Sequence, residues 1–96
     1  MQFEWDENKR LANIEKHGID FADAVKIFDG FISSQEDLRA DYGEKRYITI
    51  GLLEGTEVAV IHTPRGDKTR IISIRRARIK ERKSYYQDKE AIQNGN

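Results

Sequence analysis

An α+β fold is predicted by three features of the 96-residue sequence. Two short helical patterns stand near the N-terminus. Three runs rich in β-branched residues follow between Arg46 and Arg76, separated by turn signals. The chain closes on a stretch without Gly or Pro that is rich in Arg, Lys, Glu and Ala. Helices, then an antiparallel meander, then a last helix make an α+β plan. It is a small antiparallel sheet with the two N-terminal helices on one face, the other face half-open, and a C-terminal helix. The length predicts one domain over residues 1–96, with a frayed tail at about 91–96.

Each element has a local reason. "FEWD" is short and apolar enough for an edge strand. Asp6 then caps a helix running to about His17, with Glu7 in its first turn. Gly18 suits the left-handed position after the last turn, and Ile19 closes back onto Ile14 in a Schellman motif. Asp20 caps again, and Phe21, Ala24, Val25 and Phe28 fall at i, i+3, i+4 and i+7, one apolar face of a two-turn helix that "DG" at 29–30 stops. "FISS" reads as a strand and "QEDLRADYGEK" as a polar loop. Arg46–Leu53, Glu57–Thr63 and Thr69–Arg76 are the meander, joined by "EG" and by "PRGD". Helix is expected from Ala77 to about Glu90, and "QNGN" frays.

Turn lengths set the expected registers. With Glu54-Gly55 as the first tip, Ile50 faces Ala59, Ile48 faces Ile61 and Tyr47 faces His62. With "PRGD" as a four-residue loop, Ala59 faces Ile72, Ile61 faces Arg70 and His62 faces Thr69. One face then collects Ile48, Ile50, Leu52, Ala59, Ile61, Ile72 and Ile74 as core, under Phe21, Val25 and Phe28. The other collects Tyr47, Val58, Val60, His62, Ile71, Ser73 and Arg75 and stays half-open. A one-residue slip in either hairpin reverses these faces.

The formal net charge is zero, but the charge is not evenly spread. Residues 1–61 carry a balance of −6, whereas residues 62–83 hold nine Lys and Arg against Asp67 and Glu81. Such asymmetry points to an anionic partner for the basic part, against the plainer reading of a solvated face. No apolar run exceeds four residues, which predicts no membrane span and no membrane partner. "MQFEWDENKR" does not read as a signal peptide, so the expected location is the cytoplasm. The absence of Cys removes disulfides, thiolate metal sites and Cys nucleophiles. The two His are 45 residues apart with no ligand spacing, so no metal and no cofactor are expected. A concave surface holding Arg75, His62 and Tyr47 suits a phosphate backbone with a base able to stack.

"FEWDENKRLANIEKHGIDFADAVKIF", "YGEKRYITIGL" and "VAVIHTPRGDKTRIISIRRARIKERKSYY" together resemble the BrnT family of bacterial toxins over about residues 2–86. The resemblance implies a fold related to the RelE-like ribonuclease toxins and RNA cleavage that halts translation. It also implies a BrnA-like antitoxin with a ribbon-helix-helix domain, through which the pair would contact operator DNA. In RelE-like sites basic residues on the sheet and near its ends act with a late aromatic. Arg75, Arg76 and Arg78 stand where the late basic residues should, and Tyr85 and Tyr86 compete for the aromatic position.

RNA is cut without metal when its 2′-hydroxyl attacks the adjacent phosphate, which requires a base, cations for the phosphoryl oxygens and an acid for the departing oxygen. Arg supplies the fork that matches phosphate. The expected catalytic set is therefore Arg75, Arg76, His62 and Tyr86, with His62 as the titrating group. Arg65, Arg78, Tyr47, Tyr85, Lys16 and His17 are the expected RNA contacts. Glu81 is read as the partner of Arg78 in an i, i+3 pair. Two rival readings use the same basic surface: a nucleic-acid-binding module that does not cleave, and an interaction domain that docks an acidic protein segment.

Overall fold

The structure is a computed structural model that describes residues 1–93. Five strands form one sheet in the order β1-β5-β4-β3-β2. They are β1 (Gln2–Trp5), β2 (Ser33–Glu36), β3 (Tyr47–Leu53), β4 (Thr56–Arg65) and β5 (Lys68–Arg76). Helices α1 (Glu7–His17) and α2 (Phe21–Ala24) precede β2, and α3 (Ile79–Gln93) closes the chain. The fold is α+β, as expected. The sheet is antiparallel except at one edge, where β1 runs parallel to β5 and pairs with Lys68–Ile71. No helix among the described residues is long and apolar enough to cross a membrane.

The β3–β4 hairpin has the expected register, with Tyr47 opposite His62, Ile48 opposite Ile61 and Ile50 opposite Ala59. The β4–β5 hairpin does not. Its loop is Gly66-Asp67 alone, since Arg65 pairs with Lys68, so Thr63 rather than Ile61 faces Arg70. A bulge then interrupts the ladder: His62 faces Ile71 and Ile61 faces Ser73, leaving Ile72 without a partner. The extra residue reverses the alternation of everything after it. Ile74 thereby joins Val58, Val60 and Ile71, while Arg75 stands opposite Ala59 on the other face.

That reversal corrects the expected layers. Phe21, Ala24 and Ile27 pack on Val58, Val60, Ile71 and Ile74, the face expected to be half-open. Ile48, Ile50, Ala59 and Ile61 form a second cluster with Tyr85 from α3, and Ile72 packs against it. The expected two-turn helix is also shorter. After Ala24 the chain tightens into a 3₁₀ turn, Val25–Asp29, whose three-residue repeat buries Phe21, Ala24 and Ile27 and leaves Val25 and Phe28 only half-buried. Gly51 admits this turn, because a Cβ there would sit 2.9 Å from Ile27 Cβ.

Helix α1 lies along the edge of β5 that β1 leaves uncovered. Its buried Asn13 accepts the Ile74 N–H (3.0 Å) through Oδ1 and donates through Nδ2 to the Ile19 carbonyl (2.9 Å), replacing a missing strand partner. Asp6 and Asp20 cap α1 and α2 as expected. Gly18 closes α1 with one bond to the Ile14 carbonyl (2.8 Å), the simpler left-handed cap in place of the Schellman motif. Helix α3 starts at Ile79 and runs to Gln93, so residues 91–93 are helical where fraying was expected. The same expectation for residues 94–96 lies outside the described residues.

Candidate functional site

Between α1 and the outer half of β5, on the face that carries Arg75, lies a groove of about 430 Å³. Its floor is the buried Ile61 with the half-buried Ile72 and Ser73, which the bulge turns the same way. Helix α1 forms one wall with Lys9, Ala12, Asn13 and Lys16, at i, i+3, i+4 and i+7, and with His17 at its end. Arg75, Arg78 and Arg39 complete the lining, and among the described residues no carboxylate lines the groove. Among the described residues no ion pair involves Lys9, Lys16 or the Arg78 guanidinium. Lys9, Lys16 and Arg78 therefore carry charge that no ion pair offsets, while Arg75 and Arg39 are each paired with a carboxylate behind them, and the groove keeps a net positive field.

Two of the guanidiniums are held from behind. Arg75 donates through Nη1 and Nη2 to Glu81 (2.8 and 2.9 Å) and through Nη1 to the Arg76 carbonyl (3.2 Å). Of its five N–H donors this leaves Nε–H and one Nη2–H, a parallel fork of the kind that matches phosphate oxygens. Glu81 also accepts the Arg78 N–H (2.7 Å), half of a capping box at the start of α3. It thus ties Arg75 and the Arg78 backbone rather than the expected Arg78 side chain. Burial works to raise the Glu81 carboxyl, but the bonds from Arg75 and Arg78 outweigh it and hold the group below the usual carboxylate range.

Arg39 is fixed by Asp37, whose side chain is wholly buried. Asp37 accepts from Arg39 Nε (2.8 Å), Nη2 (2.7 Å) and backbone N–H (3.1 Å), and from the Tyr42 hydroxyl (3.1 Å). These bonds, those from the Arg39 side chain above all, overcome desolvation and hold the carboxyl far below its ordinary range.

Of the sequence-predicted residues, Arg75, Arg78, Lys16 and His17 meet in this groove. The others lie elsewhere. Arg76 points to the opposite face and lines a smaller pocket with Leu53, Glu54, Val58 and His17, which thus stands at the rim of both. His62 also lies on that opposite face, between the Phe28 ring (5.5 Å) and the Tyr47 ring (5.9 Å), with Nε2 2.6 Å from Thr49 Oγ1. Burial pushes its imidazole below the ordinary value. Tyr85 is a buried core residue whose hydroxyl donates to the Phe31 carbonyl (3.1 Å). Tyr86 is exposed on α3 beside Glu57 and Lys83, and Arg65 stands at the far hairpin tip. Sequence reasoning passed over Lys9, Arg39 and Ser73. The Lys9–Lys16 spacing on α1 is a signal for the first; a polar loop gives none for Arg39.

A cation-lined groove on a small α+β sheet has the chemistry of a polyanion binder. The chain belongs to the BrnT family: residues 5–81 match the family model described as "Ribonuclease toxin, BrnT, of type II toxin-antitoxin system". No curated protein matches the chain. Membership brings an RNA substrate and an antitoxin protein partner. The matched segment contains every groove residue from Lys9 to Arg78 and ends at Glu81, before Tyr85 and Tyr86.

Proposed function

We propose that this BrnT toxin is a metal-independent endoribonuclease that halts translation in the cytoplasm, and that the groove between α1 and β5 is where RNA is cut. The observation that carries the reading is the lining itself, with five cationic side chains and an imidazole around a largely apolar floor and no carboxylate among the described lining residues. Donors of that kind hold phosphate oxygens directly and leave no oxygen cage for a divalent ion.

In this reading the uncommitted fork of Arg75 grips the scissile phosphate, and Arg78 and Lys16 hold the flanking ones. Charge grows on the phosphoryl oxygens as the 2′-hydroxyl attacks, and a guanidinium already fixed by Glu81 stabilises it without rearranging. His17 is assigned as the groove's proton carrier, since it lines the groove and an imidazole ring has one nitrogen that accepts and one that donates. The 2′-oxygen–phosphorus bond forms, the 5′-oxygen–phosphorus bond breaks, and the departing oxygen takes a proton. A BrnA-like antitoxin of the ribbon-helix-helix class covers the groove and carries the pair to operator DNA.

The test is cleavage of a defined RNA by antitoxin-free protein in EDTA. Products ending in 2′,3′-cyclic phosphate are expected. Dependence on divalent metal, or 3′-hydroxyl ends, overturns the mechanism, while salt-sensitive binding without cleavage returns the protein to the non-cleaving module. For the antitoxin, a complex that leaves Arg75 and Arg78 accessible yet is inactive overturns the covering role.

A further inference from the structure

The loop between β2 and β3 has almost no apolar anchor: Leu38 is exposed, and the segment is held by polar bonds. Asp37 N–H donates to the Arg46 carbonyl (2.7 Å), Thr63 Oγ1 donates to the Lys45 carbonyl (2.6 Å), and the Arg46 guanidinium lies 4.2 Å from the Tyr42 ring centroid. At the root of this network the buried Asp37 takes four hydrogen bonds, three of them from Arg39. Its bidentate grip uses Nε–H and one Nη2–H of Arg39. That leaves the two hydrogens of Nη1 and the second of Nη2, an end-on fork on a side chain that is 47% exposed and lines the groove.

Compensating the buried Asp37 accounts for the side-on fork of Arg39 but leaves its end-on fork without a partner among the described residues. Arg39 turns that free end-on fork into the same groove as Lys9, Lys16 and Arg78, whose charges no ion pair among the described residues offsets, and as Arg75, whose own free fork faces it too. We infer that Arg39 is a phosphate-binding residue of the RNA site and that Asp37 is its positioning residue. RNA would then lie between two pre-oriented guanidiniums. Arg75 is held by Glu81 and offers its side-on fork; Arg39 is held by Asp37 and offers its end-on fork. The inference rests on the reading of the groove as the RNA site and adds its second wall.

Four variants test it: Arg39→Ala, Arg39→Lys, Asp37→Asn and, outside the groove, Lys26→Ala. Each is assayed for RNA cleavage, for the salt dependence of RNA binding by fluorescence anisotropy, and for folding by circular dichroism. Arg39→Ala should lower kcat/KM by roughly 10² to 10³. It should also make the log–log salt slope shallower by about 0.7, the share of one phosphate contact on a single strand. Arg39→Lys should keep the slope without recovering the rate, because an ammonium cannot occupy Asp37's two-point grip and a phosphate fork together. Asp37→Asn should lower kcat with the slope unchanged. Lys26→Ala should match wild type.

Folded Arg39→Ala with wild-type rate and slope overturns the proposal, even while Arg75→Ala remains inactive. If Asp37→Asn does not fold, the two Arg39 variants decide alone. Wild-type protein that binds RNA but cuts none sinks the nuclease reading, and the salt slopes still decide whether Arg39 touches phosphate.

Discussion

The face of the sheet beneath α2 is closed by side chains apart from the small pocket beside Arg76, whereas the face beneath α3 is closed over only half. On the first, Phe21, Ala24 and Ile27 meet Val58, Val60, Ile71 and Ile74, and even His62 is wedged between rings. On the second, Tyr85 covers Ile48, Ile50, Ala59 and Ile61, but the β5 side opens into the basic groove. The two faces come from the same alternating strands. What separates them is the bulge at Ile72, which moves Ile74 to the closed face and Arg75 to the open one. One unpaired residue thus divides the sheet into a side for stability and a side for charge.

The strongest way to break the comparison is to open the closed face. Phe21 is wholly buried, and Phe21→Ala should cost about 3–5 kcal/mol, seen as a large drop in the urea midpoint. Ile74→Ala, also wholly buried, should cost about 2–5 kcal/mol, and Ile72→Ala, half-buried at the groove floor, clearly less. Equal losses at Ile72 and Ile74 would contradict the bulge.

Next in size is the open face. Arg75→Ala should slow cleavage by a factor of roughly 10² to 10³, or about 2.7–4 kcal/mol of transition-state stabilisation. Arg75→Lys should rescue it only in part, since the ammonium lacks the fork. Removing Arg75 also strips Glu81 of its partner, so a melt must show that the variant is folded at the assay temperature. Arg76, one residue on but facing the other way, is the control: Arg76→Ala should change the rate less than tenfold. Matching losses at Arg75 and Arg76 would mean that the two faces do not divide the work.

A smaller effect is expected where the 3₁₀ turn meets the sheet. Gly51→Ala drives a methyl group against Ile27 Cβ, and overpacking of this kind costs about 1–3 kcal/mol. A neutral Gly51→Ala would show that the turn moves away freely.

Much of this arrangement was legible in the sequence, with reasons for the rest. The caps at Asp6 and Asp20 and the left-handed Gly18 act within one turn and were read correctly, though Gly18 closes with the simpler motif. The β3–β4 register followed from a two-residue tip. The second hairpin misled because Pro64 and Gly66 signal a turn without fixing its length. The bulge at Ile72 has no local signature, as Ile suits paired and unpaired strand positions alike. That hidden residue placed His62 and Arg75 on one face in the sequence reading and separates them in the structure. The basic run from Arg75 to Arg78 was visible in the sequence, but not that Arg76 faces away from the groove; Arg39's place in the lining was not visible, because its partner Asp37 looks like any loop acid until it is buried.

The smallest effect separates the two imidazoles. Burial lowers the affinity of His62 for a proton, so the unfolded chain, with an ordinary imidazole near ~6.5, binds one more readily. The depressed folded value means that stability is fully present above the unfolded value and is lost as pH falls toward the folded one. One proton sets the maximum slope, about 1.4 kcal/mol per pH unit. His62→Gln should remove this acid-side loss from urea midpoints measured between pH 7.5 and 5, at a constant penalty from altered packing against Phe28 and Tyr47. The pH profile of cleavage should keep its shape in that variant, whereas His17→Gln should slow cleavage, because His17 lines the groove and His62 does not. A rate profile flattened by His62→Gln and untouched by His17→Gln would move the proton carrier to the closed face and undo the division.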